Sequence, residues 1–292
     1  ALELYEELLA LPATREGAKE LQIEIMTRVV ACHYRLGQPV EAGRVDISST
    51  LDGLGQEELD APSFGRCVAR FYNAKAITLM ESGRLQAARE LYDSALRSVR
   101  AARDAFGTAV VETNIGNVLL YGEDHEGAIS HYLRALRIAE KTGYAYGKAI
   151  ASNNLGEVYL LTGELERAEK MLDAALKVSS ALALVALLPD TLRLQAEVCL
   201  ARGDEHEAAL RKCDDAYRLA QKANDRPSQA MVLLTRGKAL ARAAASTGDA
   251  DRREEALRDL QEAAEAAREG GLQRGIQEIE RELNELRRLD SG

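Results

Sequence analysis

The sequence predicts an all-α protein, a right-handed superhelix of stacked helical hairpins closed by a C-terminal capping helix. Three observations predict it. Ala, Leu, Glu and Arg dominate, and 292 residues contain only 5 prolines, which suits a chain that is helical almost throughout. A pattern then returns at a fixed period. In residues 149–176, AIASNNLGEVYLLTGELERAEKMLDAAL, the residues Leu155, Gly156 and Tyr159 mark one face of a first helix and Gly163 ends it. Ala168, Leu172 and Ala175 mark one face of a second helix. Forty positions earlier Ile115, Gly116, Leu119, Ala128, Tyr132 and Ala135 take the same slots, and eighty earlier Ala76, Leu79, Gly83, Ala88, Tyr92 and Ala95 do. Finally, each hairpin has an apolar inner face that it cannot bury alone, so neighbours must stack.

The Leu-Gly-x-x-Tyr, Ala, aromatic-or-Leu, Ala series resembles the tetratricopeptide repeat (TPR). The period here is 40 residues, against about 34 in the common version. That spacing is similar to arrays in bacterial signalling and regulatory proteins. The aromatic that such repeats often place three residues before the Leu survives only as Tyr72, with Glu112 and Ser152 in its slot in the next two copies. The resemblance implies a right-handed superhelix, a concave groove lined by first helices, and a role in protein recognition.

Taken in order, the chain reads as one solenoid over 1–292. Residues 1–11, ALELYEELLAL, match a second helix, with Ala1, Tyr5 and Leu8 on the slots of Ala168, Leu172 and Ala175. The chain thus opens in mid-hairpin and without Met, so further domains of the same polypeptide are expected before Ala1. Its apolar residues Leu2, Tyr5 and Leu9 are expected to be only partly covered. Residues 16–55 form a divergent hairpin, a helix from Glu16 to Leu36 and another opened by Pro39. Gly53 to Pro62 breaks the pattern. Three well-matched repeats fill 64–182. Two divergent ones follow over 183–269, with first helices ending at Gly203 and opening near Pro227. A longer connection is expected from Ala243 to Arg253, with Ser246-Thr-Gly-Asp as its turn. Residues 272–289 carry Leu272, Ile276, Ile279, Leu283 and Leu286 on one face and charge on the other, as a solenoid cap requires.

Composition excludes several functions. A net charge of −9 argues against direct nucleic-acid binding. Cys32, Cys67, Cys199 and Cys213 form no C-x-x-C and sit within helical patterns, which reads as buried reduced thiols and a cytoplasmic setting. The longest apolar run, Ala181 to Leu188, is too short to span a membrane. No catalytic constellation emerges, and no cofactor or metal is implied. His125 and His131 in DHEGAISHY do not make H-E-x-x-H and read as a turn histidine and a helix-surface histidine. Thr235-Arg-Gly-Lys238 lacks the rest of a phosphate loop. The chain is therefore read as a binding protein and not as an enzyme.

The candidate site comes from a helical wheel at about 100° per residue. Opposite the inner face stand Ile150, Asn153, Asn154, Glu157 and Leu161. One repeat earlier they are Val110, Thr113, Asn114, Asn117 and Tyr121, and one before that Arg70, Asn73, Ala74, Ile77 and Glu81. Asn costs helix stability in mid-helix, and its amide matches the alternating N–H and C=O of an extended peptide. The expected peptide-binding residues are Arg70, Asn73, Asn114, Asn117, Tyr121, Asn153, Asn154 and Glu157. The bland alternative is that these amides bridge neighbouring repeats or face water. The carboxylate clamp of chaperone-binding TPR proteins needs several cations here. Arg70 and Arg193 are candidates, but Asp190, Glu157 and Glu197 carry the wrong sign. The leading function is recognition of an extended peptide or partner segment. The alternative is a structural or sensor arm of a larger regulator linked to an ATPase, kinase or DNA-binding domain. Self-association is a further possibility.

Overall fold

The computed structural model describes residues 2–10, 19–35, 61–203 and 205–288. Within them lie thirteen helices. They are α1 (Leu2–Ala10), α2 (Lys19–Arg35), α3 (Pro62–Glu81), α4 (Leu85–Ala101), α5 (Ala105–Tyr121), α6 (His125–Thr142) and α7 (Ala145–Leu161). Then follow α8 (Leu165–Ala181), α9 (Leu188–Arg202), α10 (His206–Lys222), α11 (Arg226–Thr247), α12 (Ala250–Glu269) and α13 (Gln273–Arg288). The fold is all-α, with helices packed as sequential hairpins in the manner of a TPR superhelix. The expected helix after Pro39 and the break from Gly53 to Asp60 lie outside the described residues.

The repeat is visible in its turns. The first helices α3, α5 and α7 close on the same backbone bond, from Arg84 N to Leu79 O, Asp124 N to Leu119 O and Glu164 N to Tyr159 O, at 2.9, 2.9 and 2.8 Å. The residue before each donor is left-handed: Gly83 (φ 77°), Glu123 (φ 62°) and Gly163 (φ 78°). Gly enters that region without a Cβ penalty, whereas Glu123 holds it against one. Aspartates cap several helices. Asp104 and Asp124 accept from the N–H of Gly107 and Gly127, both at 2.9 Å, satisfying donors that a helix start leaves open.

The chain divides into two compact units, Ala1–Gly147 and Lys148–Gly292. In the first, α3/α4 and α5/α6 are hairpins, and α4 packs on α5. Tyr92, Ala95, Ile115 and Val118 form their shared core. Helix α2 packs on α3, and α1 on α2. Half-buried Leu2 and Tyr5 touch the cluster of Ile23, Val29, Val30 and Phe64.

In the second unit, α9/α10 and α11/α12 are the main hairpins, and α13 packs on α12 and α11. Cys213, Ala216 and Ala196 are buried in one cluster, and Leu233, Leu260, Ala263 and Ile279 in another. Leu272, Ile276, Leu283 and Leu286 all meet this second cluster, so the apolar stripe of α13 caps the core as its pattern predicts. The connection expected over 243–253 is shorter than its sequence suggested. α11 runs on to Thr247 and α12 starts at Ala250, because the Ala-rich stretch before Ser246 favours continued helix. The extra residues lengthen the helix and not the loop.

Candidate functional site

The first-helix faces of the two units place the predicted site residues differently. In the first unit, Asn114 on α5 donates from Nδ2 to Oδ1 of Asn73 on α3, at 2.7 Å. The bond ties the first helices of consecutive hairpins. One turn along, Asn117 Oδ1 accepts the hydroxyl of Tyr132 on α6 at 2.8 Å, so that amide braces its own hairpin. Arg70 and Tyr121 flank these amides in sequence, and both are exposed. Arg70 pairs with Glu24 of α2 at 3.1 Å. Val110 is also exposed, whereas Thr113 is buried and bonds back to Ala109 O at 3.0 Å.

In the second unit, Asn153 is only 2% exposed. Its Nδ2 donates to Asp190 Oδ2 at 2.8 Å, and its Oδ1 accepts from Thr191 Oγ1 at 2.8 Å. Both partners belong to α9, so the amide's nitrogen and its oxygen each join α7 to the next first helix. Asn154, half-buried, is its neighbour. Arg193 binds Asp190 at 2.7 Å and approaches Glu197 at 4.0 Å, and Thr235 donates to Glu197 at 2.8 Å. One guanidinium thus serves two carboxylates. Burial pushes the Glu157 carboxyl up to about 7, nearby Asp190 adds to the rise, and Arg193 opposes it.

Asn153→Ala is therefore expected to act on stability. It strips a donor from Asp190 and an acceptor from Thr191 in a buried setting, at about 1–3 kcal/mol. Thermal melts read the loss, and an unchanged melting temperature would show that the bridge carries nothing.

Sequence reasoning missed one cluster. Glu112 stands where TPR-like repeats often place an aromatic, and it is 1% exposed. Its carboxylate meets His131 Nδ1 at 2.7 Å, Arg100 Nη2 at 2.8 Å and Arg134 Nη1 at 3.6 Å. His131, expected on a helix surface, is buried, because its ring turns inward to this carboxylate. Burial works to raise the Glu112 pKa, but the His131 bond and the two arginines hold it below the usual glutamate value. An acidic residue in an apolar slot was the available signal; its partners, contributed by two other helices, were not readable from spacing.

Among the described residues no group of three or more His, Cys, Asp or Glu side chains is placed to hold a metal. No described helix is long and apolar enough to cross a membrane. Cys67, Cys199 and Cys213 are buried free thiols, and Cys32 is half-buried. Burial pushes Cys213 up to about 12.

A family model for the tetratricopeptide repeat matches residues 67–141 and again 107–181. Residues 67–181 belong to the tetratricopeptide repeat family. The matched TPR segment covers the three hairpins from α3 to α8, apart from the first residues of α3. No curated protein matches the sequence.

Several solved TPR-like structures share the fold. The apo form of RapI is 18% identical over 93% of this chain and 100% of its own, with a TM-score of 0.64. A Rap conjugation gene regulator of plasmid pLS20, in complex with a Phr peptide, is 17% identical over 91% of this chain and 69% of its own, with a TM-score of 0.63. A signal transduction ATPase with numerous domains, carrying a tetratricopeptide repeat sensor, from Pyrococcus horikoshii is 17% identical over 95% of this chain and 41% of its own, with a TM-score of 0.69. At these identities the likeness is one of fold.

Proposed function

We propose that the chain is a protein-recognition module whose first-helix faces grip an extended peptide or partner segment. In the first unit the binding residues are Arg70, Asn73, Asn114, Asn117 and Tyr121. Asn153, Asn154 and Glu157 occupy the corresponding face of the second. One observation carries the reading: the Asn114–Asn73 bond uses one amide hydrogen and one carbonyl. Oδ1 of Asn114 and Nδ2 of Asn73 take no part in that bond, and Arg70, Val110 and Tyr121 are exposed on the same two helices. Pre-ordered amides lose little freedom on binding. Apolar and aromatic neighbours supply area that an amide does not. The Rap regulator solved with a Phr peptide supports the reading by its fold.

The test starts from peptides selected on the purified protein from a displayed random library. Binding of the selected peptide is then titrated against wild type and an Asn114→Ala, Tyr121→Ala double variant. Two lost anchors are expected to weaken it by about one to four decades. Equal affinities would move the site off this face.

The second reading is a sensor arm within a larger regulator. It is favoured by the Pyrococcus horikoshii protein, in which a comparable array is a sensor attached to further domains.

A further inference from the structure

The Glu112 cluster has a charge imbalance at the surface. Glu112 and His131 are buried, but the arginines that meet them are not. The side chains of Arg100 and Arg134 are 57% and 45% exposed. One buried carboxylate thus meets two guanidinium groups, Arg100 from α4 at 2.8 Å and Arg134 from α6 at 3.6 Å. Each guanidinium carries donors beyond those it spends here. Arg100 gives Nη2 to Glu112, and Arg134 gives Nη2 to Ser130 Oγ at 3.1 Å.

Arg97 and Arg137 stand three residues from Arg100 and Arg134 on the same helices, and both are exposed. Residues three apart share a helix face, so they extend the positive field. Arg97 donates to Ser94 Oγ at 2.9 Å. Asp93 is already taken by Arg89 at 3.2 Å. Glu112 is the carboxylate that Arg100 and Arg134 both meet. On a chain of net charge −9, such a patch is a departure that the fold does not require: an apolar residue at the Glu112 slot would pack this position without any cation.

We propose that Arg100 and Arg134 form a binding site for a phosphomonoester dianion on the outer, second-helix side of the first unit, separate from the peptide face. Paired arginine forks suit the tetrahedral oxygens of a phosphate, which accept several charge-assisted bonds at once. A carboxylate offers fewer oxygens and half the charge. Glu112 is a positioning residue: it never meets the ligand, and it sets the spacing of the two forks. His131 holds the other side of that carboxylate in place.

The experiment is a fluorescence titration of the full chain at low salt with four probes. They are a phosphoserine heptapeptide with uncharged flanks, the same peptide with glutamate, inorganic phosphate, and a short oligodeoxythymidine. The phosphoserine peptide is expected to bind most tightly. Arg100→Gln and Arg134→Gln are each expected to weaken it by about tenfold or more, since each removes a charged hydrogen bond. Arg97→Gln and Arg137→Gln, which leave Glu112's partners intact and so spare the fold, are expected to weaken it by a smaller factor that vanishes at high salt. Arg100→Lys keeps the charge but not the fork and is expected to recover only part of the affinity. Inorganic phosphate binding as tightly as the phosphopeptide would identify free phosphate as the source, and weaker binding a phosphorylated side chain. Either supports the site. Glutamate peptide or oligodeoxythymidine binding as tightly as phosphoserine would overturn it, as would unchanged affinity in all four glutamine variants.

Discussion

Gly116→Leu is expected to destabilise the first unit by about 3 kcal/mol or more, at the upper end of what overpacking costs. A Cβ built at Gly116 lies 2.4 Å from Tyr132 Cε1 and 2.6 Å from Cδ1. The ring has no room to yield, since Tyr132 is fully buried and its hydroxyl is held by Asn117. Helix propensity points the other way, because Leu is a better helix former than Gly by roughly 0.5–1 kcal/mol. Packing decides the sign, as the contact is with a rigid ring in the hairpin's seam. Gly116→Ala is expected to cost less, about 1–2 kcal/mol. The first repeat holds Ala76 opposite Tyr92 on the equivalent slots, both fully buried, so a hairpin can be built one methyl wider. In a unit of this size the Leu variant is expected to melt about 6–12 °C lower. Gln86→Ala, an exposed change on α4, is the control and is expected within about 0.5 kcal/mol. Coincident melts for Gly116→Leu and Gln86→Ala would mean that the seam is not where the helices meet.

The seam was legible in the sequence because it is dictated by a local period. Small residues at Gly116 and Gly156 pair with bulk at Tyr132 and Leu172, forty residues apart in each case. The structure places a Cβ at Gly156 within 2.6 Å of two Leu172 carbons. The cap was legible for the same reason, since one apolar stripe on α13 has one place to go. The site was less so. A wheel says which way Asn153 points, but not that Asp190 and Thr191 of the next first helix meet it there. Those partners lie 37 and 38 residues on, and their contact depends on the stacking offset between hairpins. The bond between Asn73 and Asn114 follows from that same offset, which no wheel contains. His131 was misread because the wheel treats its neighbours as solvent; the Glu112 slot, whose usual aromatic is missing, is what drew the ring inward.

Raising the pH from 5.5 to 8.5 is expected to weaken the second unit, by about 2–4 kcal/mol. Two of its carboxyls carry the effect. Asp259 is 6% exposed, and burial pushes it up to about 7 despite Arg236, with Glu255, Glu262 and Asp214 adding to the rise. Arg236 is shared among Asp214, Glu255 and Asp259, at 3.0, 2.6 and 3.1 Å, so no carboxylate has it alone. Asp259 Oδ2 is buried with no hydrogen-bond partner, so no donor stabilises the charge on that oxygen. Glu157, also at about 7, behaves alike. Both folded values lie above the ordinary ones of 3.8 and 4.5. The folded state therefore binds more protons than the unfolded state between those limits. The resulting stability is complete below the unfolded values and is lost as pH rises through about 7. Glu112 and Glu169, whose values are lowered, act only in acid below this window. The thiols of Cys199 and Cys213, raised to about 11 and about 12, act only above it. Asp259→Asn removes the proton equilibrium but keeps the shape and supplies a donor. It is expected to melt higher than wild type at pH 8.5 and to match it at pH 5.5. Thermal melts across the window read both, and a wild-type melting temperature that climbs from 5.5 to 8.5 would reverse the sign assigned to these two carboxyls.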